Sequence, residues 1–87
     1  MATVVIPSLL RKYTNGVERV TVSGKTIGQV IDELGKRYPE IRDNLLENGD
    51  VKPSVAVSID GEMGTGGVLD QVRESSEIFF IPAIGGG

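Results

Sequence analysis

Histidine and cysteine are both absent from the 87 residues. Thiolate and imidazole metal sites, disulfides and every Ser-His or Cys-His nucleophile arrangement are therefore excluded. Carboxylates are among the reactive groups that remain. Among the twelve Asp and Glu side chains, Asp60 and Glu62 come nearest to an acid/base pair, yet acidic side chains are seldom buried and the pair reads as solvated. Gly61, Gly64, Gly66 and Gly67 with Thr65 lack the glycine-lysine-Ser/Thr ending that sets a lysine on phosphates, and read as an ordinary loop. Lys12, Lys25, Lys36 and Lys52 read as surface, and Tyr13 and Tyr38 as amphipathic edges of the core. Gly85-Gly86-Gly87 stands apart. A segment without side chains can extend into a narrow channel and present an α-carboxylate to another protein's active site. The same composition suits a plain flexible end. The channel reading gains from the apolar strand just ahead of the glycines, which anchors them to a folded body.

Eighty-seven residues supply one domain, and 39% apolar with 24% charged residues is ordinary globular usage. A net charge of −3 gives no electrostatic footprint for nucleic acid. The longest apolar stretch, 78–84, is far short of the roughly 20 residues of a membrane span, and the N-terminus lacks a basic-then-apolar signal pattern. The expectation is a cytoplasmic domain with no membrane or nucleic-acid partner.

The elements that must position the glycines follow from periodicity. Residues 2–6 form a β-branched strand ended by Pro7. Ser8 to Tyr13 suits a helical turn, Thr14-Asn15-Gly16 reverses the chain, and residues 17–22 return as the second strand of a hairpin. Thr26 followed by Gln29 matches a capping box. Ile27, Val30, Ile31, Leu34 and Tyr38 then share one helical stripe, closed at Pro39. Gly28 and Gly35 each cost that helix about 1 kcal/mol, so it must depend on packing against a sheet. Ile41, Leu45 and Leu46 suggest a second short helical segment ended by Asn48-Gly49-Asp50. Residues 54–59 alternate as a strand turned by Asp60-Gly61, residues 62–67 read as loop, and Val68, Leu69 and Val72 as one helical turn. Glu77 to Ile81 is the last strand. One main helix on one face of a small sheet is an α+β arrangement.

Several segments together resemble one family. They are Ile6-Pro7-Ser8-Leu9-Leu10-Arg11 with Thr14-Asn15-Gly16, the run from Gly24 to Leu34 with Tyr38-Pro39, and Ile78 to Ile84 before the glycines. The chain is similar over nearly its whole length to the ubiquitin-like small sulfur carriers of the ThiS and MoaD type, and its opening and tail look most like the CysO-type carriers. The resemblance implies a β-grasp fold over residues 1–84 with a glycine tail at 85–87. It implies a protein cosubstrate rather than an enzyme, with no bound cofactor. The Gly87 carboxylate would be adenylated by an E1-like enzyme using ATP and converted to a thiocarboxylate, Gly85 and Gly86 serving tail recognition. A sulfur-accepting biosynthetic enzyme for cysteine, molybdopterin, thiamine or another thio-metabolite would be the second partner. Two alternatives stay open at this point: a modifier conjugated to lysines through Gly87, and a β-grasp interaction module whose tail is inert.

Strand parity adds a surface. If Glu77 is solvated, Phe79 and Ile81 share its outer face while Ile78 and Phe80 point inwards, and Val5 faces outwards beside Val4 and Ile6 facing inwards. Val5, Phe79, Ile81, Pro82 and Ile84 are the expected partner-binding residues, the resembling family docking its E1-like enzyme through this sheet face.

Overall fold

Alternation in the first strand, β1 (Ala2–Val5), sends Ala2 and Val4 into the core and leaves Thr3 and Val5 half-buried on the opposite face. The structure is a computed structural model and describes residues 1–82. Beyond Pro7 a 3₁₀ turn (Ser8–Tyr13) leads to Asn15 and Gly16, both left-handed at φ 56° and 83°. The buried Thr14 hydroxyl donates to the Val17 carbonyl at 2.9 Å, so the reversal leaves no orphan polar group. β2 (Arg19–Val22) returns antiparallel to β1, Arg19 opposite Val5 and Val22 opposite Ala2. It starts two residues later than the alternation suggests, Val17 being occupied in the turn.

The main helix, α1 (Ile27–Arg37), begins at the Thr26 cap, whose hydroxyl oxygen accepts the Gln29 N–H at 3.2 Å. Gln29 reaches back to the N–H of Lys25 at 2.8 Å, one residue before the cap. Ile27, Val30, Ile31 and Leu34 are fully buried, in one cluster with Val20, Val55, Val57, Ile78 and Phe80 as the stripe demands. Tyr38, where the helix ends, is half-buried at the cluster's edge. The two helical glycines answer to close approach: a Cβ on Gly28 would lie 3.2 Å from Val68 Cβ, and one on Gly35 would lie 2.8 Å from Arg42 Cδ. Packing against these neighbours offsets their poor helix propensity.

Pro39 opens a second helix, α2 (Pro39–Leu45), in the first-turn position where its missing N–H costs nothing. Leu46, read from sequence as helical, is extended instead. With Glu47 it forms β3 (Leu46–Glu47), paired with β4 (Asp50–Val51) around Asn48 and Gly49 at φ 54° and 81°. Asn-Gly serves both as helix stop and as two-residue hairpin turn, and here the second role prevails. At residues 62–63 the loop reading needs the same correction. Asp60 and Gly61, at φ 53° and 86°, turn β5 (Val55–Ile59) back into β6 (Glu62–Met63). A second 3₁₀ turn covers Gly67–Leu69, with Val72 buried beyond it. β7 (Glu77–Pro82) then runs parallel to β1 and antiparallel to β5, giving the sheet order β2-β1-β7-β5-β6. β7 is the central strand, and the helices cover the inner face of the sheet. This is the ubiquitin-like β-grasp fold.

The start of β7 is clamped. The Asp60 carboxylate accepts the Glu77 N–H at 2.9 Å and the hydroxyl of buried Ser76 at 2.8 Å, while Asp60's own N–H donates to the Glu77 carbonyl at 2.9 Å. The Glu77 N–H, and after it the Ser76 hydroxyl, hold Asp60 below the ordinary carboxyl value of 3.8. Asp60 is thus kept ionised as an acceptor, not poised to give up a proton, and its pairing with Glu62 as an acid/base couple finds no support. Because the folded value is the lower one, the clamp's contribution is complete above pH 3.8 and disappears as pH falls through that lower value. Asp60→Asn, whose amide tolerates the same left-handed backbone, should therefore melt below wild type near neutral pH. The gap should close on acidification below about pH 4, in thermal melts followed by circular dichroism. A gap constant down to pH 2 would show that the charge contributes nothing.

Candidate functional site

The outer face of the sheet carries two exposed large apolar side chains from its central strand. Along β7 the pattern alternates strictly: Ile78 and Phe80 are buried, while Phe79 and Ile81 are 36% and 48% exposed. A buried central strand cannot turn both faces inwards when helices cover only one, so every second side chain must meet solvent or a partner. Val5 stands opposite Phe79 in the parallel β1–β7 ladder and extends the apolar strip, and Ala56, opposite Ile81 on β5, flanks its other side. The strip is bounded at the start of β7 by an ion pair, Arg19 to Glu77 at 2.8 Å, both groups well exposed.

At the other end the strip becomes a groove. Ile6, Pro7, Ser8, Leu9 and Arg11 on one side, and Phe79 to Pro82 on the other, enclose about 300 Å³. Leu9 is half-exposed and belongs to this surface, although the sequence reading did not single it out. The adjacent leucines contained the signal: with Leu10 at 7% exposure in the core, Leu9 on the same short turn must project elsewhere. Arg11 was likewise not singled out as a site residue. Its Nε donates to the Ile6 carbonyl at 3.1 Å, which seats the guanidinium at the groove wall. Of the residues expected at the site, Val5, Phe79, Ile81 and Pro82 are brought together here. Ile84 and the glycines Gly85, Gly86 and Gly87 lie outside the described residues.

The described residues hold no group of three or more acidic side chains placed to bind a metal ion, and no helix long and apolar enough to cross a membrane. A larger hollow of about 670 Å³ lies near Met1, Gly24 and Val72. The most continuous feature of this face is an apolar strip running along the central strand to Pro82.

Known proteins share this fold. The chain is 31% identical to the sulfur carrier protein CysO of Mycobacterium tuberculosis over 90 aligned positions, covering 98% of this chain and 97% of the relative. Its backbone superposes on the chain in the crystal structure of the Amycolatopsis orientalis BexX/CysO complex with a TM-score of 0.94, 28% identity and complete coverage of both chains. The crystal structure of CysO from M. tuberculosis gives a TM-score of 0.89 at 29% identity, with 97% of this chain and all of that chain covered. Residues 4–87 match the ThiS family, a span that contains every strand residue of the outer face except Thr3 as well as the three glycines, and the chain belongs to that family.

Proposed function

We propose that the protein is a sulfur carrier, a cosubstrate whose Gly87 carboxylate is activated by an E1-like enzyme and exchanged for a thiocarboxylate. The observation that carries the reading is the ThiS family match running unbroken from the outer strip of β1 and β7 through Gly86 and Gly87. A carboxylate is a poor acyl donor because its oxygen is a poor leaving group. Attack of the Gly87 carboxylate on the α-phosphorus of ATP expels pyrophosphate and leaves an acyl-adenylate. Hydrosulfide then adds to the acyl carbon, the carbon–oxygen bond to AMP breaks with AMP as the leaving group, and the thioacid gives up its proton to leave the thiocarboxylate. The folded body's part is positional: the outer strip binds the activating enzyme, and β7, held by a neighbour on each side, fixes where the chain leaves the sheet. The relative solved with BexX supports the idea that such carriers act in complex with a second protein.

The test is intact mass spectrometry after incubation with an E1-like enzyme from the same organism, ATP and sulfide. Sulfur in place of one oxygen is expected. AMP release with mass addition only on lysines of other proteins would mark the chain as a modifier instead, and no AMP release would leave it an interaction module.

Docking through the strip gives its own expected result. Ile81→Asp should weaken binding to the activating enzyme at least tenfold, on the order of the 1.4 kcal/mol or more that burying an unpaired charge costs. The free protein should melt nearly as wild type, since the new carboxylate stays hydrated there. Titration calorimetry reads the first and circular dichroism the second. Unchanged affinity would remove the strip from the mechanism.

A further inference from the structure

We infer that the groove beside Arg11 receives an acidic-apolar segment of the activating enzyme, with the Arg11 guanidinium as its carboxylate anchor. The inference deepens the sulfur-carrier reading and rests on it for the identity of the partner. Its grounds are the unequal engagement of two arginines on the same side of the molecule. Arg19 donates directly to a carboxylate, from Nη1 to Glu77 Oε2 at 2.8 Å. Arg11 is fixed differently: its Nε is spent on the Ile6 carbonyl, and its nearest carboxylate, Glu18, stands 4.0 Å from Nη1 and is itself 71% exposed. The guanidinium is thus oriented by a backbone bond and only loosely neutralised.

Its surroundings set the ligand chemistry. Apart from Ser8, the remaining lining is apolar, with Val5, Pro7, Leu9, Phe79 and Ile81 prominent in it. A cation held at an apolar wall favours a carboxylate flanked by an aliphatic or aromatic side chain, which fills the groove while the planar fork takes the acid in two parallel hydrogen bonds. Desolvation on docking strengthens that pair relative to Glu18, whose exposed carboxylate keeps its water. The groove lies at the Pro82 end of β7, so the anchor would hold the enzyme where the chain leaves the sheet.

Two opposed variants test the inference. Arg11→Gln should raise the KM for the carrier about tenfold in pyrophosphate-release assays with kcat unchanged, the effect of losing one charge-assisted bond. Glu18→Gln, which removes the competing carboxylate and touches no core residue, should lower the KM. Arg11→Lys should recover only part of the loss, because an ammonium cannot supply the fork. Independently of the enzyme, N-acetyl-Leu-Asp-amide should shift the Arg11 Nε and Phe79 amide resonances at lower concentration than N-acetyl-Leu-Asn-amide. Wild-type turnover with KM unmoved by either variant would overturn the anchor while leaving the sulfur-carrier reading intact. Absence of wild-type turnover alongside the Asp-selective shift would overturn the carrier reading and keep the groove chemistry. Equal shifts with the two peptides would also overturn the anchor.

Discussion

Leu34→Ala lowers the stability of the fold by about 2–5 kcal/mol, the range for truncating a fully enclosed leucine. Leu34 has no exposed surface and lies in the same cluster as Ile31 on α1, Ile41 and Leu45 on α2, and Phe80 on the central strand. The substitution removes transfer energy and leaves a cavity that the neighbours cannot easily fill. Gly35 is already closed against Arg42, which limits how far α2 can move inwards. Against the roughly 5–15 kcal/mol that stabilises a typical domain, such a loss is a large fraction. Urea denaturation should show a lower midpoint with an unchanged slope. Phe79→Ala is the companion measurement: its side chain lies on the outer face, and its truncation should cost much less. Equal losses at the two positions would mean that the two faces of β7 are not distinct.

The parity of β7 was legible in the sequence because a central strand with helices on one side has a single physical solution, and Glu77 marks the solvent side. The Leu34 stripe was legible for a similar reason, the spacing of Ile27, Val30, Ile31 and Leu34 leaving one face to bury. Turn chemistry was less decisive. Asn48-Gly49 and Asp60-Gly61 are left-handed pairs that can stop one element or join two, and only the strands on either side select between those outcomes. Leu46 and residues 62–63 were misassigned on that account. Of the groove, only the adjacent pair Leu9-Leu10 gave a signal. The groove depends on a 3₁₀ turn brought against the end of β7 by the fold, and neither Leu9 nor Arg11 has a periodic partner that would announce it. Asp60 is the reverse case: its residue type suggested chemistry, and its hydrogen bonds show a clamp on the first residue of β7.

Removing Gly86 and Gly87 should abolish sulfur loading and leave the melting curve where it is. The two effects separate because they depend on different parts of the chain. The β7 ladder ends with Pro82 opposite Val55, and every buried apolar residue among those described precedes it, so the shortened chain retains its core and its sheet. The outer strip is also retained, so affinity for the activating enzyme should fall only modestly. The carboxylate is what changes place. Two residues of extended chain span about 7 Å, so a chain ending at Gly85 would hold its acid group short of the ATP α-phosphorus by that distance. Displacements near 1 Å already cost a reaction about a hundredfold when attack must be in line, and nothing in the folded body can move to recover several ångströms. AMP release and thiocarboxylate mass should both fall below detection, with the truncated protein acting as a competitive inhibitor of wild-type loading. Loading at the wild-type rate would show that the reacting group lies elsewhere in the chain. Loss of loading without inhibition would show that the enzyme recognises the glycines rather than the strip formed by Val5, Phe79 and Ile81.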